Sequence, residues 1–93
     1  HMFFSYRDIS NYKGREGGYR IGYASSEDML HWNRKDHLVD IDCSETGWDS
    51  EMVNYPHLFE LDGQTYMFYQ GNGMGKTGFG LAKLESESVW DQV

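Results

Sequence analysis

The chain has 93 residues, 16% of them aromatic and 25% charged, with a formal net charge of −7, eleven glycines, one proline and one cysteine. That length makes one domain, residues 1–93, with a modest core. The acidic balance argues against nucleic-acid and anionic-membrane partners, which need a basic face, and Cys43 alone permits no internal disulfide, so a reducing, cytoplasmic compartment is the default.

No apolar run approaches transmembrane length. His1-Met2 reads as a cloning remnant followed by a start methionine, and with Met2 as the native start the chain is expected to be a whole small gene product. Large rings and glycine punctuation favour pleated strands joined by tight turns. Residues 2–7 and 19–25 read as two strands joined by a long loop rich in Gly, Lys and Arg. Ser25 to Leu30 holds a turn, residues 30–33 start a third strand, and residues 37–41 form a weak one before a loop from Asp42 to Gly47. Residues 54–61 and 64–70 alternate around Asp62-Gly63, the strongest short hairpin signal a sequence offers. Residues 78–84 form a further strand, and residues 87–92 a last strand or a short helix. No window keeps helical spacing of apolar residues for three turns, so the expected class is all-β with little helix.

The pattern repeats. Met2-Phe3-Phe4-Ser5-Tyr6-Arg7 matches Met67-Phe68-Tyr69-Gln70-Gly71-Asn72 at an offset of 65, Tyr19-Arg20-Ile21-Gly22-Tyr23-Ala24 matches Thr77-Gly78-Phe79-Gly80-Leu81-Ala82 at an offset of 58, and Trp32 matches Trp90 at the same offset. A longer loop around residues 11–18 of the first copy absorbs the difference, and loops take insertions cheaply. Repetition of a small antiparallel sheet is the mark of a β-propeller.

The segment from Tyr19 through Ala24-Ser25-Ser26-Glu27-Asp28 to Trp32 resembles the strand, Ala-Ser, acidic turn and Trp signature of the five-bladed β-propeller glycoside hydrolases, which include arabinanases, levansucrases and invertases. Tyr55-Pro56-His57-Leu58-Phe59, the Asp62-Gly63 hairpin and Gly78-Phe79-Gly80-Leu81-Ala82 resemble the following blade. The resemblance runs from Met2 to Lys83 and implies a partial blade over residues 2–46 and a second over 47–93. That is about one and three-quarter blades, too few to close a ring, so the resemblance predicts either a homo-oligomer, a two-fold dimer first, or a collapsed sandwich.

The same resemblance implies carboxylates at the channel mouth, one protonating the leaving oxygen and another acting as base or nucleophile. Glu51, five residues before Pro56, is the candidate acid, with Asp49 beside it. Trp48 is either a sugar platform or a core ring. Asn54 and Tyr55 lead into the hairpin strand; by alternation Tyr55 shares a face with His57 and Phe59, and Asn54 the opposite face with Leu58. Arg7 and Asp8 end the first strand and Asn72 lies in the loop after the hairpin, so these too are candidate sugar-binding residues.

His31, His37 and His57 show no metal-ligand spacing with each other or with Cys43. Gly75-Lys76-Thr77 resembles the end of a phosphate loop, but a strand follows it and the first glycine is missing; residues 71–78 are expected to be a mobile loop. Asp40-Ile41-Asp42-Cys43-Ser44 with Glu51 matches some calcium-loop positions without the sharp-turn Gly. No cofactor is implied. The resulting expectation is a carbohydrate-associated module, hydrolytic only if an oligomer or partner completes the site. The alternative is a non-catalytic β protein whose aromatic surface forms a homo-oligomer interface.

Overall fold

The computed structural model describes residues 1–10, 12 and 14–85. The chain is all-β: two three-stranded antiparallel sheets, each a simple meander. The first contains β1 (Met2–Tyr6), β2 (Arg20–Ser25) and β3 (Asn33–Arg34), and the second β4 (Asn54–Leu61), β5 (Gln64–Gln70) and β6 (Phe79–Lys83). Trp90 and the element expected over residues 87–92 lie outside the described residues.

The Asp62-Gly63 hairpin forms as expected. Asp62 and Gly63 have φ of 51° and 76°, both positive as a type I′ turn demands, and Leu61 pairs directly with Gln64. The third strand begins later than expected, at Asn33, because residues 26–31 are held by side chains. Asp28 Oδ1 accepts from the backbone N–H groups of Leu30 (2.9 Å) and His31 (2.8 Å), and Ser26 Oγ from that of Met29 (2.8 Å).

No strand forms over residues 37–41. A short 3-10 turn, Asp36–Leu38, stands there instead. The reason is local: Asp36 Oδ1 accepts from the Tyr23 N–H at 3.1 Å, taking the donor on the β2 edge that a longer strand would have used. Val39 and Ile41 still pack on the core. The expected mobile loop after β5 is also tied down. Its short turn, Asn72–Gly75, winds left-handed at Gly73 and Met74, Gly71 N–H donates to Gly78 O at 3.2 Å, and Thr77 Oγ donates to Trp48 O at 2.7 Å.

Directly paired residues in an antiparallel ladder share a face. Phe3, Ser5, Ile21 and Tyr23 therefore form the inner face of the first sheet, and Met67, Tyr69, Gly80 and Ala82 that of the second. These faces meet around Ile21, Val53 and Met67, with Phe3, Tyr69 and Ala82 packed alongside. The core is small, and it sits between the sheets.

The connection between the sheets is held by two arginines. Arg15 donates to Ser44 O (2.5 Å) and Ser50 O (2.7 Å). Arg20 donates to Glu51 O at 3.1 Å and pairs with Asp42 at 3.0 Å. Asp42, a position of the calcium-like pattern, is thus an arginine partner.

Candidate functional site

Alternation fails where β4 begins. Between Asn54 and His57 the register shifts: two residues, Tyr55 and Pro56, oppose the single Tyr69. A bulge of this kind bends the strand and re-aims a side chain. Asn54 pairs with Gln70 and His57 with Phe68, so Asn54 shares the face of His57, not that of Leu58 as alternation had implied. Tyr55 sits inside the bulge with φ of 51°, a left-handed conformation rare for an aromatic residue. Its N–H donates to Ser5 Oγ of β1 at 2.8 Å, which anchors the bulge to the first sheet.

The consequence is an aromatic surface that spans both sheets. Tyr55 is 54% exposed, and its ring lies 6.4 Å from the Tyr19 ring. Arg7 stacks over Tyr12 with its guanidinium carbon 4.0 Å from the ring centroid, and stands 5.9 Å from that of Tyr19. Asp8 follows Arg7 and accepts from the Ile9 N–H at 2.8 Å. An exposed Tyr55 and an exposed guanidinium beside the half-buried Tyr12 and Tyr19, flanked by a carboxylate, suit a ligand that offers C–H faces and hydroxyl groups. Tyr12 and Tyr19 are absent from the candidates read in sequence. Only their meeting with Tyr55 and Arg7 distinguishes them from strand and loop tyrosines.

The other candidates are placed differently. Trp48 is a packing residue: its indole lies against Gly71 and Gly80, where any Cβ would clash with it, and its ring is 5.6 Å from Tyr69. Asp49 is 6% exposed, and its charge helps burial to raise the pKa of the Tyr69 hydroxyl. Glu51 is exposed and next to the aromatic surface in sequence, but its buried neighbour Asp49 offers no open second carboxylate. Asn72 is spent on the loop it faces. Its Oδ1 accepts from Glu51 N (2.7 Å) and Met52 N (3.2 Å), and its Nδ2 donates to Gly47 O (3.2 Å) and Ser50 Oγ (3.1 Å).

Asn54 is fully buried. Its Nδ2 donates to Met74 Sδ at 3.0 Å, while its Oδ1 and the Oε1 of the paired Gln70 have no hydrogen-bond partner among the described residues. Two buried acceptors thus come from one strand pair at this end of the sheet.

Hydrogen bonds from the His31 backbone, then from its ring, hold the Asp28 carboxyl well below the usual carboxylate range. Burial pushes the Cys43 thiol up. Among the described residues no three His, Cys, Asp or Glu side chains are grouped to hold a metal ion, and no helix is long and apolar enough to cross a membrane.

No family model matches the chain, and no solved structure matches it. It is similar to the uncharacterized protein Rv1502 of Mycobacterium tuberculosis, at 45% identity over 84 residues that cover 86% of this chain and 28% of that protein. The uncharacterized protein MT1551 of another strain of the same organism matches to the same extent. The chain thus spans little more than a quarter of the length of these curated relatives.

Proposed function

We propose that this chain is a carbohydrate-associated module, built like part of a five-bladed propeller glycoside hydrolase, which binds sugar on the Tyr55–Tyr19–Arg7 surface. The observation that carries the reading is the bulge at Tyr55. It holds a left-handed, exposed ring beside the rings of the other sheet, and backbone strain of that kind gathers at ligand sites.

The repeat adds support. Eighty-four aligned residues make up 28% of each relative, so each relative is about 300 residues long, and the repeat offset of 58 to 65 divides into that length about five times. On this reading the sites of the longer relatives draw residues from several blades. Glycosyl hydrolysis with Glu51 as acid then needs a second open carboxylate from a further blade or a partner, because retaining and inverting mechanisms alike use a pair. A cytoplasmic setting belongs to the same reading: one half-buried cysteine suits a reducing compartment.

The test is a titration of the 93-residue chain with arabinan- and fructan-derived oligosaccharides, followed by amide NMR. The expected outcome is shift changes at Tyr12, Tyr19 and Tyr55. Tyr55→Asn, which removes the ring but suits a left-handed backbone, should weaken binding about tenfold, roughly 1.4 kcal/mol, with the fold intact. Absence of binding at millimolar sugar, or binding indifferent to Tyr55→Asn, would overturn the proposal.

A further inference from the structure

Two strands of each sheet repeat in sequence, β1 with β5 and β2 with β6, and matched residues share a face within each pair. With the offsets of 65 and 58, Phe3, Ile21 and Tyr23 of the first sheet correspond to Phe68, Phe79 and Leu81 of the second. Their environments are opposite. Ile21 and Tyr23 are 3% and 1% exposed, whereas Phe68, Phe79 and Leu81 are 38%, 70% and 55% exposed. These exposed side chains belong to the outer face of the second sheet, where Phe59 and Phe68 stack at 5.0 Å and Phe68 meets Phe79 edge-on at 5.7 Å.

Phe3 and Ile21 share one core cluster with Met67, Tyr69 and Ala82 of the second sheet's inner face. The same offsets map those three onto Met2, Phe4 and Ala24, which the strand pairing puts on the outer face of the first sheet, where Met2 is exposed, Phe4 half-buried and Ala24 buried. Each of these faces also sets an aromatic side chain over a glycine, Phe4 over Gly22 in one and Tyr69 with Trp48 over Gly80 in the other. The two outer faces therefore carry apolar counterparts, at matching positions, of the strand residues on either side of the interface inside the molecule; Val53, ahead of β4, has no counterpart.

We propose that the outer face of the β4–β5–β6 sheet docks on the outer face of the β1–β2–β3 sheet of a second copy of this chain, continuing the sheet-on-sheet packing of the interior. An aromatic face of this kind, left bare, marks an interface. The contact is head-to-tail, since the ring face takes a face unlike itself, and it leaves one face open at each end of a dimer. Arg34 equips the receiving face: its guanidinium carbon lies 4.9 Å from the Phe4 ring and 4.7 Å from the Tyr6 ring, where incoming Phe68 and Phe79 rings meet a cation already stacked on aromatics. The two-fold dimer expected from sequence would instead press two ring faces together.

The experiment is light scattering with sedimentation on the full 93-residue chain from micromolar to millimolar concentration. Phe79→Asp blocks the ring face, and Met2→Asp blocks the receiving face, with Arg34→Glu as a second block there. The wild type should assemble with concentration, to species beyond the dimer. Each variant should stay monomeric with an unchanged circular dichroism spectrum, and Phe79→Asp mixed one-to-one with Met2→Asp should give a dimer and stop, because each supplies the face the other has kept. A wild type monomeric throughout would overturn the proposal and give the ring face to some other occupant, such as a further sheet of a longer chain. A receiving-face variant that still dimerises while Phe79→Asp does not would overturn it in favour of a two-fold contact, and a mixture that stays monomeric would overturn it outright.

Discussion

Asn72→Ala should be among the most damaging substitutions outside the core. Its side chain joins the loop before β4 to the loop after β5 through four hydrogen bonds. A typical one contributes about 1 kcal/mol net, and a buried donor left alone costs about 1–3 kcal/mol. The four are not equal. Glu51 and Gly47 are exposed, so water replaces Asn72 there at little cost. Met52 is 6% exposed, and its N–H would be stranded. One stranded amide plus partial loss of the other bonds gives about 3 kcal/mol, which for a domain of this size lowers Tm by about 12–24 °C. Thermal unfolding followed by circular dichroism reads the shift, and amide hydrogen exchange should show Met52 losing protection before the centre of β5. A Tm within about 3 °C of wild type, or unchanged protection at Met52, would refute the reasoning.

Gly63→Val places a β-branched residue at φ of 76° and should cost about 1–3 kcal/mol in urea unfolding, whereas a serine at the exposed neighbour Gln64 should cost under about 0.5 kcal/mol. Gly80→Ala drives a methyl group into the Trp48 and Tyr69 rings, with contacts of 2.5–2.9 Å; overpacking of that kind costs about 1–3 kcal/mol, and Trp48 fluorescence should shift with it. Burial raises the Cys43 thiol pKa, so the folded state favours the protonated form. Cys43's contribution to stability should hold below the ordinary thiol range and decline as pH rises above it, and iodoacetamide should label Cys43 faster in urea than in the native chain at the same pH. Equal labelling rates would contradict that environment.

What the sequence shows and hides follows from the range of the forces at work. The hairpin is legible because Asp62-Gly63 acts within four residues, and β1, β2, β5 and β6 because their alternation is local. The bulge at Tyr55 is hidden, since a residue before proline is biased towards extended backbone; the Ser5 hydroxyl that fixes it lies on another strand. The missing strand at residues 37–41 turns on a single carboxylate, Asp36, reaching the Tyr23 amide, a choice that apolar patterning does not encode. Asn72 misleads for a related reason. A lone amide among glycines reads as a surface ligand, but here three of its four partners are backbone groups some twenty to twenty-five residues earlier in the chain. Tyr12 and Tyr19 acquire a role only when the two sheets bring Arg7 and Tyr55 to them.

Arg15 and Arg20 grip the segment between the sheets mainly by backbone carbonyls, those of Ser44, Ser50 and Glu51. Every amino acid supplies a carbonyl, so the joint is nearly blind to which side chains the gripped residues carry. Mutational drift can rewrite this stretch, conformation permitting, without loosening the sheets, while the same drift at either arginine releases several contacts at once. A new specificity at the neighbouring Glu51 is therefore within evolutionary reach at little risk to the fold, and a saturation library over residues 44–46 should keep far more folded members than one over Arg15 and Arg20.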